Sequence, residues 1–358
     1  MLRHVLPPDT DGDTTWFDHQ NPFEQQIIRR QVAFKRAHWP ALSDGPHIKF
    51  PAHTYPHILP SGQERLAFYE PIASAIFDYL ATENIALHSE VLNLKSSQVA
   101  CLNILFPLRQ HPDWATEALR SVLPELRAVT AIEFEYTGPI EATRWLGEPA
   151  GSKRGQNRTS IDAALFWIDQ RERTHATLVE WKYTEHNFGL CSAFSKASAA
   201  DKAHCLNLNY ATDAEPAQSC LLCQGKPQRS RRYWEHSTLA GLNRAAFSTV
   251  KGCPFQGPFF QLWRQFLLAA YLRQQHLVDE ADVVSCSFAG NTALASVPPH
   301  LQSLTSATTD TLIEAWNTGL SGVPPLRHFT VEQILAGMDA AGPIDAAWRA
   351  YVRERYGL

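Results

Sequence analysis

Residues 159–183 constrain this chain more than any other stretch. TSIDAALFWID and THATLVEWKY, two runs of strand length, stand either side of the charged run QRER. Aromatic and β-branched residues suit a pleated, half-buried surface, and a short polar break between two such runs predicts a turn. The expectation is a β-hairpin. Side chains alternate along a strand, so Glu180 and Lys182 share one face of the second run while Trp181 takes the other. Opposite charges set among Leu178, Val179 and Trp181 are costly unless they are paired or used. Asp162 opens the first run, where the hairpin can set it beside Glu180.

The flanking sequence supplies a domain around this hairpin. AVTAIEFEY (128–136) alternates and predicts a third strand; EADVVSCSFAG (280–290) predicts the final one. Apolar residues at helical spacing predict helices at Glu24–His38, at Glu64–Thr82 with a kink or start at Pro71, from a cap at Ser96 or Ser97 as far as Pro107, and at Asp113–Leu123. A buried helix is expected at 258–275. The tail is helical, and Thr330 with Gln333 fits a capping box. Helix followed by strands predicts an α/β or α+β sheet domain. The expected division is an N-terminal helical and loop extension (1–93), a core (94–290) with a Cys-rich insertion (186–257), and a helical C-terminal extension (291–358). His47, His53 and His57 fall in a Pro-rich loop with no common face, and packing is the better reading of them than metal binding.

At 358 residues with 44% hydrophobic content, ten Trp and eighteen Phe, the chain can build a large core, which excludes a disordered class. A net charge of −4 does not announce a nucleic-acid binder, so contact with a polyanion must come from local patches. Two runs qualify: KRGQNR, with Lys153, Arg154 and Arg158, and KPQRSRR, with Arg229, Arg231 and Arg232. The N-terminal residues lack a signal-peptide core, and no run approaches the about 20 apolar residues of a spanning helix. The expectation is a soluble cytoplasmic protein with no membrane contact, whose seven cysteines are thiols or metal ligands rather than disulfides. No G-x4-G-K-[ST] is present, which excludes a P-loop motor within this sequence.

Two carboxylates converging from Asp162 and Glu180 make a hard-oxygen site suited to Mg²⁺ or Mn²⁺. Such a metal lowers the pKa of bound water, and the Lys182 ammonium can steady a phosphate in transit. The words around these residues, KSSQ and LNILFPL within 95–108, IEFEY (132–136), GQNRTSIDA (155–163), VEWKYTE (179–185) and PFFQLWRQFLLA (258–269), resemble the PD-(D/E)XK nuclease superfamily, in a little-characterised prokaryotic branch. Ile161 stands where the name-giving proline would be. The resemblance implies a restriction-endonuclease-like core with a mixed central sheet flanked by helices. It implies catalytic Asp162, Glu180 and Lys182, with the Asp and Glu on metal and the Lys supporting the nucleophile. Relatives often carry an acid on the first core helix; here that helix offers Gln98, taken as a catalytic candidate, and Asn103. Glu133 or Glu135 can supply the missing carboxylate, while Tyr183 and Glu185 stand just outside the site.

Cys220 and Cys223 form a C-x2-C knuckle, with Cys205 and Cys253 the nearest partners and Cys191 in reserve. Four thiolates suit zinc or a [4Fe–4S] cluster, and a metal would supply folding energy that this insertion cannot obtain by burial. Cys101 and Cys286 read as core residues. The function expected is metal-dependent hydrolysis of phosphodiester bonds, most plausibly in DNA, in defence or repair. The rival is an inactive nuclease-like protein that holds nucleic acid or a partner.

Overall fold

The hairpin at 159–183 forms and occupies the middle of a five-stranded sheet. The computed structural model describes residues 15–150, 153–154, 157–223, 231–305, 311–341 and 345–358. A small antiparallel pair comes first, β1 (Gly45–His47) with β2 (Phe50–Tyr55). The main sheet holds β3 (Leu126–Tyr136), β4 (Ile161–Asp169), β5 (Thr174–Lys182), β6 (Glu280–Ser287) and β7 (Arg327–Thr330), in that spatial order. β3, β4 and β5 pair antiparallel; β5, β6 and β7 pair parallel. The β5-to-β6 crossover contains the whole Cys-rich stretch and the helix Phe259–Gln274.

Register in the central pair runs from Ala163↔Val179 to Ile168↔Thr174. Asp169 fixes the turn that sets it. One carboxylate oxygen accepts the backbone N–H groups of Arg171 and Arg173 at 2.7 and 2.9 Å, while the other meets the Arg173 guanidinium at 2.9 Å and His175 at 3.1 Å. A one-residue slip would turn every side chain of β5 to the wrong face. Burial works against the charge on Asp169, but these donors outweigh it and hold the carboxyl far below its ordinary range. A depressed folded pKa contributes stability that is full above the unfolded value and lost as pH falls through the folded one. Asp169→Ala is therefore expected to lower the melting temperature at pH 7, with a gap to wild type that narrows as pH drops through the carboxylate range. A gap independent of pH would refute the charge-based account.

Apolar residues cover both faces of the sheet. Phe134, Ala163, Leu165, Val179, Trp181 and Val284 join one core with the helices Glu70–Thr82, Ser97–Gln110, Val331–Ala341 and Ala346–Tyr356. Ala164, Ala176, Leu178 and Val283 join the other, beneath the Phe259–Gln274 helix and the Cys-rich stretch. Two large apolar surfaces with a sheet between them follow from strands that are apolar on both faces.

The structure corrects the sequence reading in three places. β6 is not the last strand: β7 follows through Val284↔Arg327 to Ser287↔Thr330, a strand too short to show a period. The Ser97–Gln110 helix, capped by Ser96, does not stop at Pro107. Proline deprives the Asn103 carbonyl of its usual donor, and the Trp348 indole N–H takes that carbonyl at 2.8 Å, so the helix continues. The Pro-rich segment with His47 and His53 folds as the β1–β2 pair rather than a loop. In the Glu64–Thr82 stretch the α-helix does start beside Pro71, as Glu70–Thr82, and a short 3₁₀ turn, Glu64–Ala67, precedes it. Thr330 and Gln333 make their reciprocal cap.

Candidate active site at the ends of the central strands

Glu180 and Lys182 leave β5 on the same face, the one covered by the Phe259–Gln274 helix. Their charges meet at 2.7 Å, with both side chains almost wholly buried. Gln261 donates to the nearer Glu180 oxygen at 2.6 Å, and Gln265 donates to the other. Lys182 also donates to Gln261 Oε1 at 3.2 Å, and its ammonium stands 5.6 Å from the centre of the Phe188 ring. Burial alone would lower the Lys182 pKa, but Glu180, Glu185 and Asp162 override it and hold the ammonium above its ordinary range. Lys182 is thus a fixed cation and not a proton acceptor at neutral pH.

Asp162 stands one residue inside β4, where its carboxylate accepts the Trp181 N–H at 2.8 Å. Desolvation, then the charges of Glu180 and Glu135, push its carboxyl well above the ordinary range. Glu135 interrupts β3 with a left-handed backbone, φ 46°. That conformation is costly for a residue with a side chain and is characteristic of functional sites. Its carboxylate is held by Gln98 at 2.8 Å, Ser160 at 2.7 Å and His88 at 3.2 Å. Burial disfavours the Glu135 charge, yet these partners keep its pKa below the usual value.

Asp162 and Glu135 line one small buried space with Gln98, while Lys182 offsets Glu180 and His88 offsets Glu135, so Asp162 is the acid whose charge burial and its neighbours disfavour. Clustered carboxyl oxygens are the hard-donor chemistry that divalent cations take. Among the described residues, no group of three or more His, Cys, Asp or Glu side chains is arranged to hold a metal ion, and Glu180 is turned into its Lys182 and glutamine partners.

Beside these groups lies an open cleft of about 880 Å³, lined by His47, Lys49, His88, Lys95, Glu185 and His186 among others. His88, on Glu135, and Glu185, whose carboxylate accepts the Tyr183 N–H at 2.7 Å, connect the cleft to the strand ends.

The remaining sequence candidates fall in varied places. Gln98 is buried and bonds Glu135, the Ala86 carbonyl and the His88 N–H, so it holds an acid rather than presenting one. Asn103 lies away from the acids, where it ties Tyr69, Ala67 and Tyr356 together. Tyr183 accepts a hydrogen bond from Gln31 at 3.0 Å within the core. Glu133 pairs with Arg154 at 3.6 Å, whereas Glu135 is the acid beside Asp162. Arg154 also binds Glu83 at 3.1 Å, and Arg231 bonds the carbonyls of Gly147 and Asn157, so both are engaged within the fold. Arg232 pairs with Glu235 at the surface, Lys153 is exposed, and Arg158 is partly buried. Arg229 lies outside the described residues. Cys205, Cys220, Cys223 and Cys253 are free thiols in the insertion, together with Cys191; Cys101 and Cys286 are buried in the core.

Sequence reading missed His88, Ser160, Gln261 and Gln265. The spacing of Gln261 and Gln265, one helical turn apart in PFFQLWRQ, placed two amides on one face of a helix otherwise apolar there, which was a legible signal. Gln265→Leu leaves a buried Glu180 oxygen without its donor. Such supporting partners are typically worth about 10–100-fold in metal affinity or activity. The expected result is that loss in phosphodiester cleavage with little change in the fold by circular dichroism, and unchanged cleavage would remove Gln265 from the site.

A mixed sheet with two acids and a lysine at the ends of adjacent central strands, flanked by helices, defines a restriction-endonuclease-like fold. A family model described as Restriction Endonuclease associating with ARP matches residues 30–357, and the chain belongs to that family. The family places it among nuclease-like proteins. No curated protein and no solved structure gives a significant match. Among the described residues no helix is long and apolar enough to cross a membrane.

Proposed function

We propose that the protein is a divalent-metal-dependent nuclease that hydrolyses phosphodiester bonds in DNA. The observation that carries this reading is the buried Glu180–Lys182 pair at the end of β5, with Asp162 on the neighbouring strand end bonded to the Trp181 N–H between them and Glu135 as a third acid near Asp162. Asp162 and Glu180 would hold Mg²⁺ or Mn²⁺, with Glu135 beside them. The cation would supply charge stabilisation to the scissile phosphate and acidify a bound water. The chain's own groups do the rest. Lys182, permanently charged and braced by Gln261, holds a phosphate oxygen and orients the attacking water. Gln261 and Gln265 fix the Glu180 carboxylate, and Gln98, Ser160 and His88 fix Glu135.

The cleft of about 880 Å³ supplies a place for substrate, with Lys49 along its wall and Lys95 there held by Glu24. Lys153, Arg158 and Arg232 are the further candidates for backbone phosphates. On a chain of net charge −4, such local contacts make affinity fall steeply with salt.

The test is incubation of purified protein with supercoiled plasmid, linear duplex, single-stranded DNA and RNA, each with Mg²⁺, with Mn²⁺ and with chelator. Nicking or degradation of DNA that needs a divalent cation supports the proposal. Binding without cleavage under every condition would favour an inactive, nucleic-acid-holding protein.

A further inference from the structure

The Cys-rich stretch does not merely decorate the fold. Cys191, Cys205, Cys220 and Cys253 come from distant points of the sequence, are all buried, and each lies within electrostatic reach of the other three. Two of the segments are pressed together: the Cys253 N–H donates to the Cys205 carbonyl at 2.7 Å. Gly252 permits this approach, because it takes φ +79° and a Cβ there would stand 3.1 Å from that same carbonyl oxygen.

Backbone amides lie near each of the four sulfurs. Backbone N–H groups of Phe194 and Ala193 face Cys191, that of Leu221 faces Cys205, those of Leu222 and Cys223 face Cys220, and that of Phe255 faces Cys253. Burial pushes the Cys191, Cys205 and Cys253 thiols up, so their thiolate forms are disfavoured until a bound soft metal supplies the offsetting charge. Cys223 differs: it is more exposed, and its thiol donates to Cys220.

We propose that Cys191, Cys205, Cys220 and Cys253 form a thiolate centre for a soft metal, either zinc or an iron–sulfur cluster, and that loading this centre holds Gln261 against Glu180 and Lys182. An all-sulfur donor set selects those two species over hard cations. Among the described residues no three or more His, Cys, Asp or Glu side chains are already arranged around one ion, so loading would draw the four sulfurs in.

The link to the site is short. Cys191 lies just beyond Gly189, whose N–H donates to Gln261 Oε1 at 2.5 Å, the same oxygen that accepts from Lys182. Phe188, in that segment, packs under the Lys182 ammonium. Cys253 leads through the Pro254–Gln256 turn into the helix that carries Gln261 and Gln265. The centre therefore ties together the two chain segments that converge on Glu180. This coupling rests on the nuclease reading; the centre itself does not.

The experiment is anaerobic purification of the full chain, followed by elemental analysis, an absorbance spectrum and a melting curve. One zinc per chain, or iron with sulfide and a brown charge-transfer band, is the expected result and tells the two species apart. Cys191→Ser should lose the metal and lower the melting temperature, while Cys223→Ser should keep it. Metal retained in Cys191→Ser but lost in Cys223→Ser would overturn this set of ligands. Neither metal, with the thiols free and the melting transition intact, or a Cys220–Cys223 disulfide in their place, would overturn the centre. For the coupling, protein stripped of the soft metal and resupplied with Mg²⁺ should cleave at least about tenfold more slowly than loaded protein. Equal rates would defeat the coupling and leave the centre standing. Absence of cleavage in the loaded protein would instead count against the nuclease reading, whatever the metal analysis shows.

Discussion

Lys182→Ala should lower cleavage by about 10²–10³-fold, the usual effect of removing one charged or hydrogen-bonding group from a developing oxyanion. It should also lower folding stability by about 3–5 kcal/mol, because it leaves Glu180 buried without its counter-charge. Glu180 is 1% exposed and meets Lys182 at 2.7 Å, so solvent cannot substitute for the ammonium. Loss of activity alone would then be ambiguous between chemistry and unfolding. The double variant Glu180→Gln with Lys182→Met separates the two. Removing both charges and keeping the volume is often neutral for stability, and Gln261 and Gln265 can still bond the new amide. Its melting temperature should return close to wild type while cleavage stays absent. A double variant that recovers both would show that the pair is a structural ion pair and no more.

The hairpin was legible because two independent signals coincide in it, β-forming composition and a charged break, and because Asp169 locks the register those signals imply. The shared face of Glu180 and Lys182 followed from strand alternation alone. What surrounds them did not. Gln261 and Gln265 reach Glu180 from a helix some eighty residues further on, across a crossover whose length no local pattern reports. Glu135 was legible as an acid on a strand, but its left-handed backbone, which separates it from Glu133, is set by tertiary packing and not by any residue that favours it. His88 lies before the first core helix in a segment without periodicity, so its contact with Glu135 had no signature. Composition was equally silent on the basic runs. Arg154 and Arg231 look free in the sequence, yet the fold engages them with Glu83, Glu133 and backbone carbonyls, since a carboxylate or carbonyl held close by is a charge-assisted partner.

Asp162→Asn should move activity and stability in opposite directions. The carboxylate is crowded by burial and by the charges of Glu180 and Glu135, with Lys182 as the nearby cation. An amide is isosteric, removes the repulsion, and can still accept the Trp181 N–H that Asp162 takes at 2.8 Å. In chelator, the variant is therefore expected to melt above wild type. Added Mg²⁺ should reverse the order. A ligand that binds only the folded state stabilises wild type by about 2.7 kcal/mol when it is a hundredfold above its dissociation constant. The variant, with one hard-oxygen ligand gone, should gain much less. Removing a metal ligand costs several kcal/mol of charge stabilisation on the phosphate, and about 4 kcal/mol corresponds to roughly 10³-fold in rate. Plasmid nicking at limiting Mg²⁺ and melting curves with and without the cation read both sides of the expectation. A variant that cleaves like wild type, or that melts lower in chelator and responds fully to Mg²⁺, would mean that Asp162 is a structural acceptor for the Trp181 backbone and that the cation, if there is one, sits elsewhere.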